Sequence, residues 1–384
     1  MAAPSDQVSA DQVSARPALT RPALTQIVDG LPASTPFVGP EALERRLGRP
    51  LDVRLGANES LFGPSARVVD AMRAAALDIQ LYGDPEAFEL RTALARHHGL
   101  TLDHLVLGSG IDELLGVLVK AYLAPGQTAV MSLGAYPTFA YQVNGQGGRI
   151  ETVPYRDDKN DIEALVEVAR RVGAKLLYLS NPDNPSGSYL PAATQLAMLD
   201  RLPSDCLLVL DEAYAEFAPA DAIPEISAAD PRVVRLRTFS KAHGLAGMRV
   251  GYAFGAPETI RPFDRIRNQF GVGRMAQAAA LAALADQGHV TSVVAAVAAG
   301  RDEYAALARE LGCTPLPSAT NFVTIDVGGS ACAKTILSAL LEREGVFIRM
   351  PGAAPLDRCI RVTVGRPQER AVFAAAFRRV VACL

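Results

Sequence analysis

The 384-residue chain has little lysine. Of its 38 basic residues only Lys120, Lys159, Lys175, Lys241 and Lys334 are lysines, and the rest are arginines. Arginine keeps its charge and forms no Schiff base with an aldehyde, so any amine chemistry has five candidates. No apolar run is long enough to span a bilayer, because charge, Gly or Pro interrupts each within a few residues. The net charge of −3 leaves no basic excess to attract nucleic acid or an anionic membrane. Five cysteines (Cys206, Cys313, Cys332, Cys359 and Cys383) form no Cys-x-x-Cys pair and are odd in number. They read as reduced thiols in a cytoplasmic protein rather than a disulfide framework. His97 and His98 are adjacent, but no His-Glu-x-x-His spacing occurs, and no metal site is expected. Gly-Lys-Ser/Thr is absent, which excludes a nucleotide P-loop. Gly108-Ser109-Gly110 has Glu113 where a dinucleotide fingerprint needs its third glycine, which excludes a nicotinamide dehydrogenase.

What remains is an ordinary globular composition, 49% apolar and 21% charged, on a chain long enough for two domains. Residues 1–26 contain the tandem copies DQVSA-DQVSA and RPALT-RPALT. With no sustained period and no basic-then-apolar layout they read as a flexible tail, neither catalytic nor a secretion signal. From about Thr35 a Pro-flanked turn leads to a helix at Pro40–Leu47 and a strand ending at Ala57-Asn58-Glu59. Strand-like runs follow at Leu105–Leu107, Thr128–Ser132, Lys175–Ser180, Cys206–Leu210, Val233–Thr238 and Arg249–Phe254. Helical periods lie between several of them, at Ile111–Leu123, Ile162–Val172 and Ala192–Arg201. This alternation predicts an α/β fold: a mostly parallel sheet covered by helices on both faces. After Phe254, Ala-rich helices (Met275–Ala285, His289–Leu311) and short strands predict a smaller α+β domain that recruits the N-terminal segment. The expected division is 27–58 with 263–384 for the small domain and 59–262 for the large one.

Ligands of an open parallel sheet bind at the carboxyl ends of its strands. Gly108-Ser109-Gly110 there opens a helix whose N–H groups can meet a phosphate. Asn181-Pro182-Asp183-Asn184-Pro185-Ser186-Gly187 follows the next strand but one. Asp211-Glu212-Ala213-Tyr214 ends another, and a buried acid at that place needs a cation or strong donors. Phe239-Ser240-Lys241 comes last, with Arg249 downstream. Among the five lysines only Lys241 stands at such a strand end, where desolvation and neighbouring cations free the amine of its proton.

The ordered set Asn184-Pro185-Ser186-Gly187, Asp211-Glu212-Ala213-Tyr214, Ser240-Lys241 and Gly244-Leu245-Ala246-Gly247-Met248-Arg249 resembles the fold-type I, class I/II aminotransferases. Within them it is most similar to the histidinol-phosphate aminotransferase group. Leu55-Gly56-Ala57-Asn58-Glu59-Ser60, Tyr82-Gly83-Asp84-Pro85 and Ile360-Arg361-Val362-Thr363-Val364-Gly365 support the likeness, which runs from about Thr35 to the C-terminus.

The resemblance implies pyridoxal 5′-phosphate as cofactor, carried on Lys241 as a Schiff base, with the freed lysine moving the substrate proton. It implies that Asp211 pairs with the pyridine nitrogen, that Tyr214 and Asn184 bond the ring's phenolate oxygen, and that Tyr136 stacks on the ring. The phosphate would meet Gly108, Ser109 and Gly110 backbone donors, the hydroxyls of Thr238 and Ser240, and Arg249. Tyr82 of the other subunit of a homodimer would reach the same phosphate. Arg361 would read the substrate carboxylate, Arg349 a phosphate or second carboxylate, and Asn58 would join them. The partners implied are a small amino donor and a 2-oxo acid such as 2-oxoglutarate. Two departures bear on the substrate: Pro36-Phe37 stands where relatives have Pro-Tyr, and Arg267–Arg274 also differs. Aromatic amino acid transamination and decarboxylation of the threonine-phosphate type therefore stay open. A ligand sensor is disfavoured, since such receptors usually carry a fused DNA-binding domain, for which the 25-residue tail is too short.

Overall fold

The computed structural model describes residues 22–32 and 37–384. Most of the expected tail and the Pro36 end of the Pro-flanked turn lie outside the described residues. At the end of the second RPALT copy, Thr25 caps a one-turn helix, Gln26–Asp29, by accepting from the Val28 N–H.

Twelve strands are present among these residues: β1 (Val53–Arg54), β2 (Leu105–Gly108), β3 (Thr128–Ser132), β4 (Arg149–Val153), β5 (Leu176–Ser180), β6 (Leu207–Asp211), β7 (Val233–Thr238), β8 (Gly251–Gly255), β9 (Thr314–Pro315), β10 (Phe322–Asp326), β11 (Val346–Phe347) and β12 (Cys359–Thr363). Seven form one sheet in the order β2-β8-β7-β6-β5-β3-β4, in which only β8 runs against its neighbours. The apolar strands show no alternation as a string of letters, yet their residues divide by period two between the two faces. Leu176, Tyr178, Leu207, Val209, Val234 and Leu236 pack under helices Ile111–Tyr122 and Pro257–Asp264. Leu177, Leu179, Leu208, Leu210 and Val233 pack under helices Ile162–Val172 and Ala192–Arg201 on the other face. The edge strand β4 escaped sequence reading because most of its residues face solvent and no apolar run marks it.

The small layer uses both chain ends. β1 pairs in parallel with β11, and β10 lies antiparallel between β12 and β9. The strand expected to reach Glu59 stops at Arg54. At Gly56 the backbone passes against the Phe347 ring, where a Cβ would sit 2.6 Å from the ring, and Asn58 then turns to a φ of 54°. Arg249 does not open β8 as expected. It ends a short turn at a φ of 51°, and pairing starts at Gly251. Helix Arg274–Ala285 packs with helices Ala66–Ala76 and Phe88–His98 behind β2 and β8, and helix Gln287–Glu310 leaves it at 77° to cover the small sheet. No single helix among the described residues is long and apolar enough to cross a membrane.

One buried charge cluster sits in the seam of the large sheet. Glu212, 1% exposed, accepts from Arg235 Nη2 at 2.6 Å and Arg237 Nε at 3.0 Å. Burial pushes its carboxyl up, but Arg237 and Arg235 outweigh that and hold it below its ordinary value. Removing one partner of such a cluster strands the others. Glu212→Ala should therefore lower the unfolding free energy by about 3–5 kcal/mol, read from urea denaturation. A loss under about 1 kcal/mol would mean that water replaces the carboxylate.

Candidate active site

A cavity of about 660 Å³ opens where β3, β5, β6 and β7 end and the small layer begins. Phe239, buried beneath β7's end, leaves Ser240 and Lys241 at the cavity wall. Lys241 Nζ donates to the Asn58 carbonyl at 3.0 Å and has no carboxylate partner among the described residues. Burial, with Arg361 nearby, pushes its amine down to about 8. The other lysines lie outside the cavity. Lys175 pairs with Asp205 at the opposite end of the sheet, Lys120 and Lys334 are exposed, and Lys159 belongs to a surface turn.

Asp211, 3% exposed, ends β6. Its oxygens accept from the Tyr178 hydroxyl at 2.7 Å and the Ala213 N–H at 3.0 Å. Both donors are neutral, and burial raises the carboxyl to about 6. A buried carboxylate without a cation has room for one, and a protonated ring nitrogen fits that need. Tyr178 was not anticipated, because inside an apolar strand it reads as core.

At the next edge Arg249 Nη1 lies 3.5 Å from Ser240 Oγ and Nη2 lies 3.3 Å from the Asp112 carboxylate. Thr238 Oγ1 donates to Ser240 Oγ at 2.9 Å. Gly108, Ser109 and Gly110 are placed differently from the expectation. Ser109 N–H donates to the Glu113 carboxylate, Ser109 Oγ to the Gly271 carbonyl, and Gly110 N–H to the Gly108 carbonyl. The helix's first N–H groups facing the cavity belong instead to Ile111 and Asp112, which line it and have no intrahelical acceptor. Gly110 matters for space, since a Cβ there would lie 2.5 Å from Arg249 Nη2. Arginine, hydroxyls and free N–H groups make a fit cradle for a phosphate. Tyr136 lines the wall, its hydroxyl donating to Asp112 at 2.9 Å.

Arg361 projects from β12. Its Nη1 donates to Asn184 Oδ1, its Nη2 lies 3.3 Å from the Gly56 carbonyl, and its buried Nε has no partner. Arg349 is joined to it by backbone bonds in both directions, so a separation of twelve in sequence becomes a pair on adjacent strands. The Arg349 guanidinium stands 5.9 Å from the Phe37 ring and 5.2 Å from Phe347. Phe37 closes the mouth, edge-on to Tyr141 at 6.4 Å and tilted to Tyr136 at 6.3 Å. Asn58 lines the cavity but bonds Tyr214 and Lys241, and Thr363 behind it was missed although it shares a strand face with Arg361. Tyr82 stands apart, 80% exposed against Phe270, beside exposed Leu77, Ile79 and Leu81.

Residues 52–377 match the family model for aminotransferase class I and II. The chain is 37% identical to histidinol-phosphate aminotransferase 1 of Mesorhizobium japonicum, covering 85% of this chain and 90% of the relative. It is 38% identical to histidinol-phosphate aminotransferase of Roseiflexus castenholzii, covering 87% and 92%. The solved structure of histidinol-phosphate aminotransferase from Sinorhizobium meliloti in complex with pyridoxal-5′-phosphate superimposes with a TM-score of 0.91. That comparison has 47% identity and covers 97% of this chain and 100% of the other.

The depressed amine of Lys241 has a consequence for stability. Its folded value near 8 lies below the ordinary 10.5, so between these values the unfolded chain binds more protons. The cost of burying the charge is complete below pH 8 and fades as pH rises to 10.5. Without bound cofactor, Lys241→Met should be more stable than the parent at pH 7, and the gap should close toward pH 10.5. Urea unfolding across that range measures it; a gap independent of pH would show an ordinary, solvated amine.

Proposed function

The chain belongs to the aminotransferase class I and II family, and from that premise we propose that it moves an amino group between histidinol phosphate and a 2-oxo acid such as 2-oxoglutarate, using pyridoxal 5′-phosphate. The observation that carries the proposal is one cavity holding an amine without a carboxylate partner, a buried carboxylate without a cation, Arg249 at one side and the pair Arg349 and Arg361 at another. The relatives do not favour the aromatic or decarboxylating alternatives.

When bound, pyridoxal 5′-phosphate supplies a ring that withdraws electrons from the carbon bearing the amino group. Asp211 holds the positive charge at the ring nitrogen, and Tyr178 fixes that carboxylate from behind. Arg249, Ser240, Thr238 and the N–H groups of Ile111 and Asp112 hold the phosphate. Tyr136 would stack on the ring, and Asn184 and Tyr214 would hydrogen-bond its phenolate oxygen. Arg361 orients the substrate carboxylate or phosphate, offering its unpartnered Nε. Lys241, neutral in a fraction of molecules at neutral pH, would take the proton from the substrate carbon that bears the amino group and return it to the cofactor carbon on the other side of the same nitrogen.

The same proposal includes a homodimer in which Tyr82 of each subunit completes the other's phosphate site. The exposed apolar surface around Tyr82 supports it. It includes a cytoplasmic setting and a small unit of 27–58 with the C-terminal part. The packing of Arg274–Ala285 on the large sheet favours a boundary near Asp286 rather than 262.

Borohydride reduction of the yellow protein should label Lys241, and a label on another lysine would sink the assignment. Substrate choice is tested at the mouth. Phe37 offers no hydroxyl beside Arg349, and a hydrogen bond to a charged group is worth about 1.5–3 kcal/mol. Phe37→Tyr should therefore raise kcat/KM for histidinol phosphate by about tenfold or more while changing that for phenylalanine little. Equal gains for both donors would place the substrate phosphate elsewhere.

A further inference from the structure

Asn58 is 2% exposed and sits at a φ of 54°, a left-handed conformation that Asn tolerates better than most side chains. Its carbonyl accepts from Lys241 Nζ at 3.0 Å and Asn321 Nδ2 at 3.0 Å. Its N–H donates to Thr363 Oγ1 at 3.0 Å, the Thr363 hydroxyl lies 3.1 Å from Asn58 Oδ1, and Asn58 Nδ2 lies 2.9 Å from the Tyr214 oxygen.

Donor and acceptor accounting gives this network one polarity. Thr363 Oγ1 accepts the main-chain proton of Asn58, and its own proton, which has no other acceptor among the described residues, goes to the amide oxygen of Asn58. The amide nitrogen is thereby turned toward Tyr214, whose oxygen has to accept. The phenol proton then has no acceptor among the described residues, and Tyr214 lines the cavity. With the amide turned over, Tyr214 would donate to it and the proton would be withdrawn.

We propose that Thr363 and Asn58 are positioning residues that aim the Tyr214 hydroxyl proton into the cavity, at the ring oxygen of the bound cofactor. The inference rests on the reading that pyridoxal 5′-phosphate occupies this cavity. It gives Thr363, two residues after Arg361, a task distinct from holding substrate. β12 thus carries the arginine that binds the substrate and the hydroxyl that orders the tyrosine.

The test is the pH midpoint of the visible absorption of the cofactor-loaded protein. A hydrogen bond donated to the ring oxygen favours the less protonated form, so losing its direction raises the midpoint. Thr363→Val should raise it by about one unit, a tenfold change in the ionisation constant, and lower kcat with little change in KM. Thr363→Ser should restore the parent midpoint. Asn58→Gly keeps the backbone conformation and the Lys241 contact but lacks the amide, and should shift the midpoint in the same direction if Thr363→Val fails to fold. In a Tyr214→Phe background Thr363→Val should add nothing, because the proton it aims is gone. An unchanged midpoint in folded Thr363→Val, or a full additional shift on Tyr214→Phe, would overturn the inference alone. A protein with no pH-dependent visible band after loading would overturn the cofactor reading and this inference with it.

Discussion

Asp211 and Lys241 share one cavity, yet each is held by neutral groups rather than by the other. The carboxylate is satisfied by a phenol and a backbone N–H, and the amine by a backbone carbonyl. Had they paired, the amine would keep its proton and the carboxylate would have no charge to offer a ligand. Keeping them apart requires the rigid spacing of adjacent parallel strands, about 4.8 Å per step, which only a packed sheet provides. The apolar faces, with Leu208 and Leu210 on one side and Val209 on the other, supply that rigidity.

The neighbouring acids Asp211 and Glu212 show how local the decision is. Glu212 meets two guanidinium groups in the seam of the sheet, and its charge is spent on structure. One residue earlier, Asp211 meets no cation and remains open to a ligand. Arginine suits the seam because its planar fork satisfies a buried carboxylate while lying on an aromatic face, as Arg235 does 4.9 Å over Phe254.

The small layer brings Arg349 and Arg361 to this centre. Antiparallel pairing sets Arg361 opposite Thr324 and Thr363 opposite Phe322, so alternate residues of one strand reach Asn184 and Asn58. The N-terminal chain passes between the layers, tied by Leu55 to both β11 and β12. That one segment joins the strand carrying Arg361 to the turn at Asn58 beside Lys241.

Several features were legible in the sequence. Lysine scarcity left Lys241 as the one amine at a strand end, and apolar runs alternating with helical periods gave the mostly parallel sheet. These are local signals, in which residue type and spacing carry the physics. The sequence could not reveal β4, whose edge position needs no apolar run, or the bend at Asn58, whose partners Tyr214, Asn321 and Thr363 are distant in the chain. Ser109 reads from sequence as a phosphate donor, and only the folded structure shows its N–H on Glu113, its hydroxyl on Gly271, and Ile111 and Asp112 without intrahelical acceptors. Tyr178 and Thr363 read as strand residues, and only strand register turned one toward Asp211 and the other toward Asn58. Residue type determined which chemistry was available. Tertiary packing decided which donors stayed unpaired, because a hydrogen bond depends on distances between segments far apart in the chain.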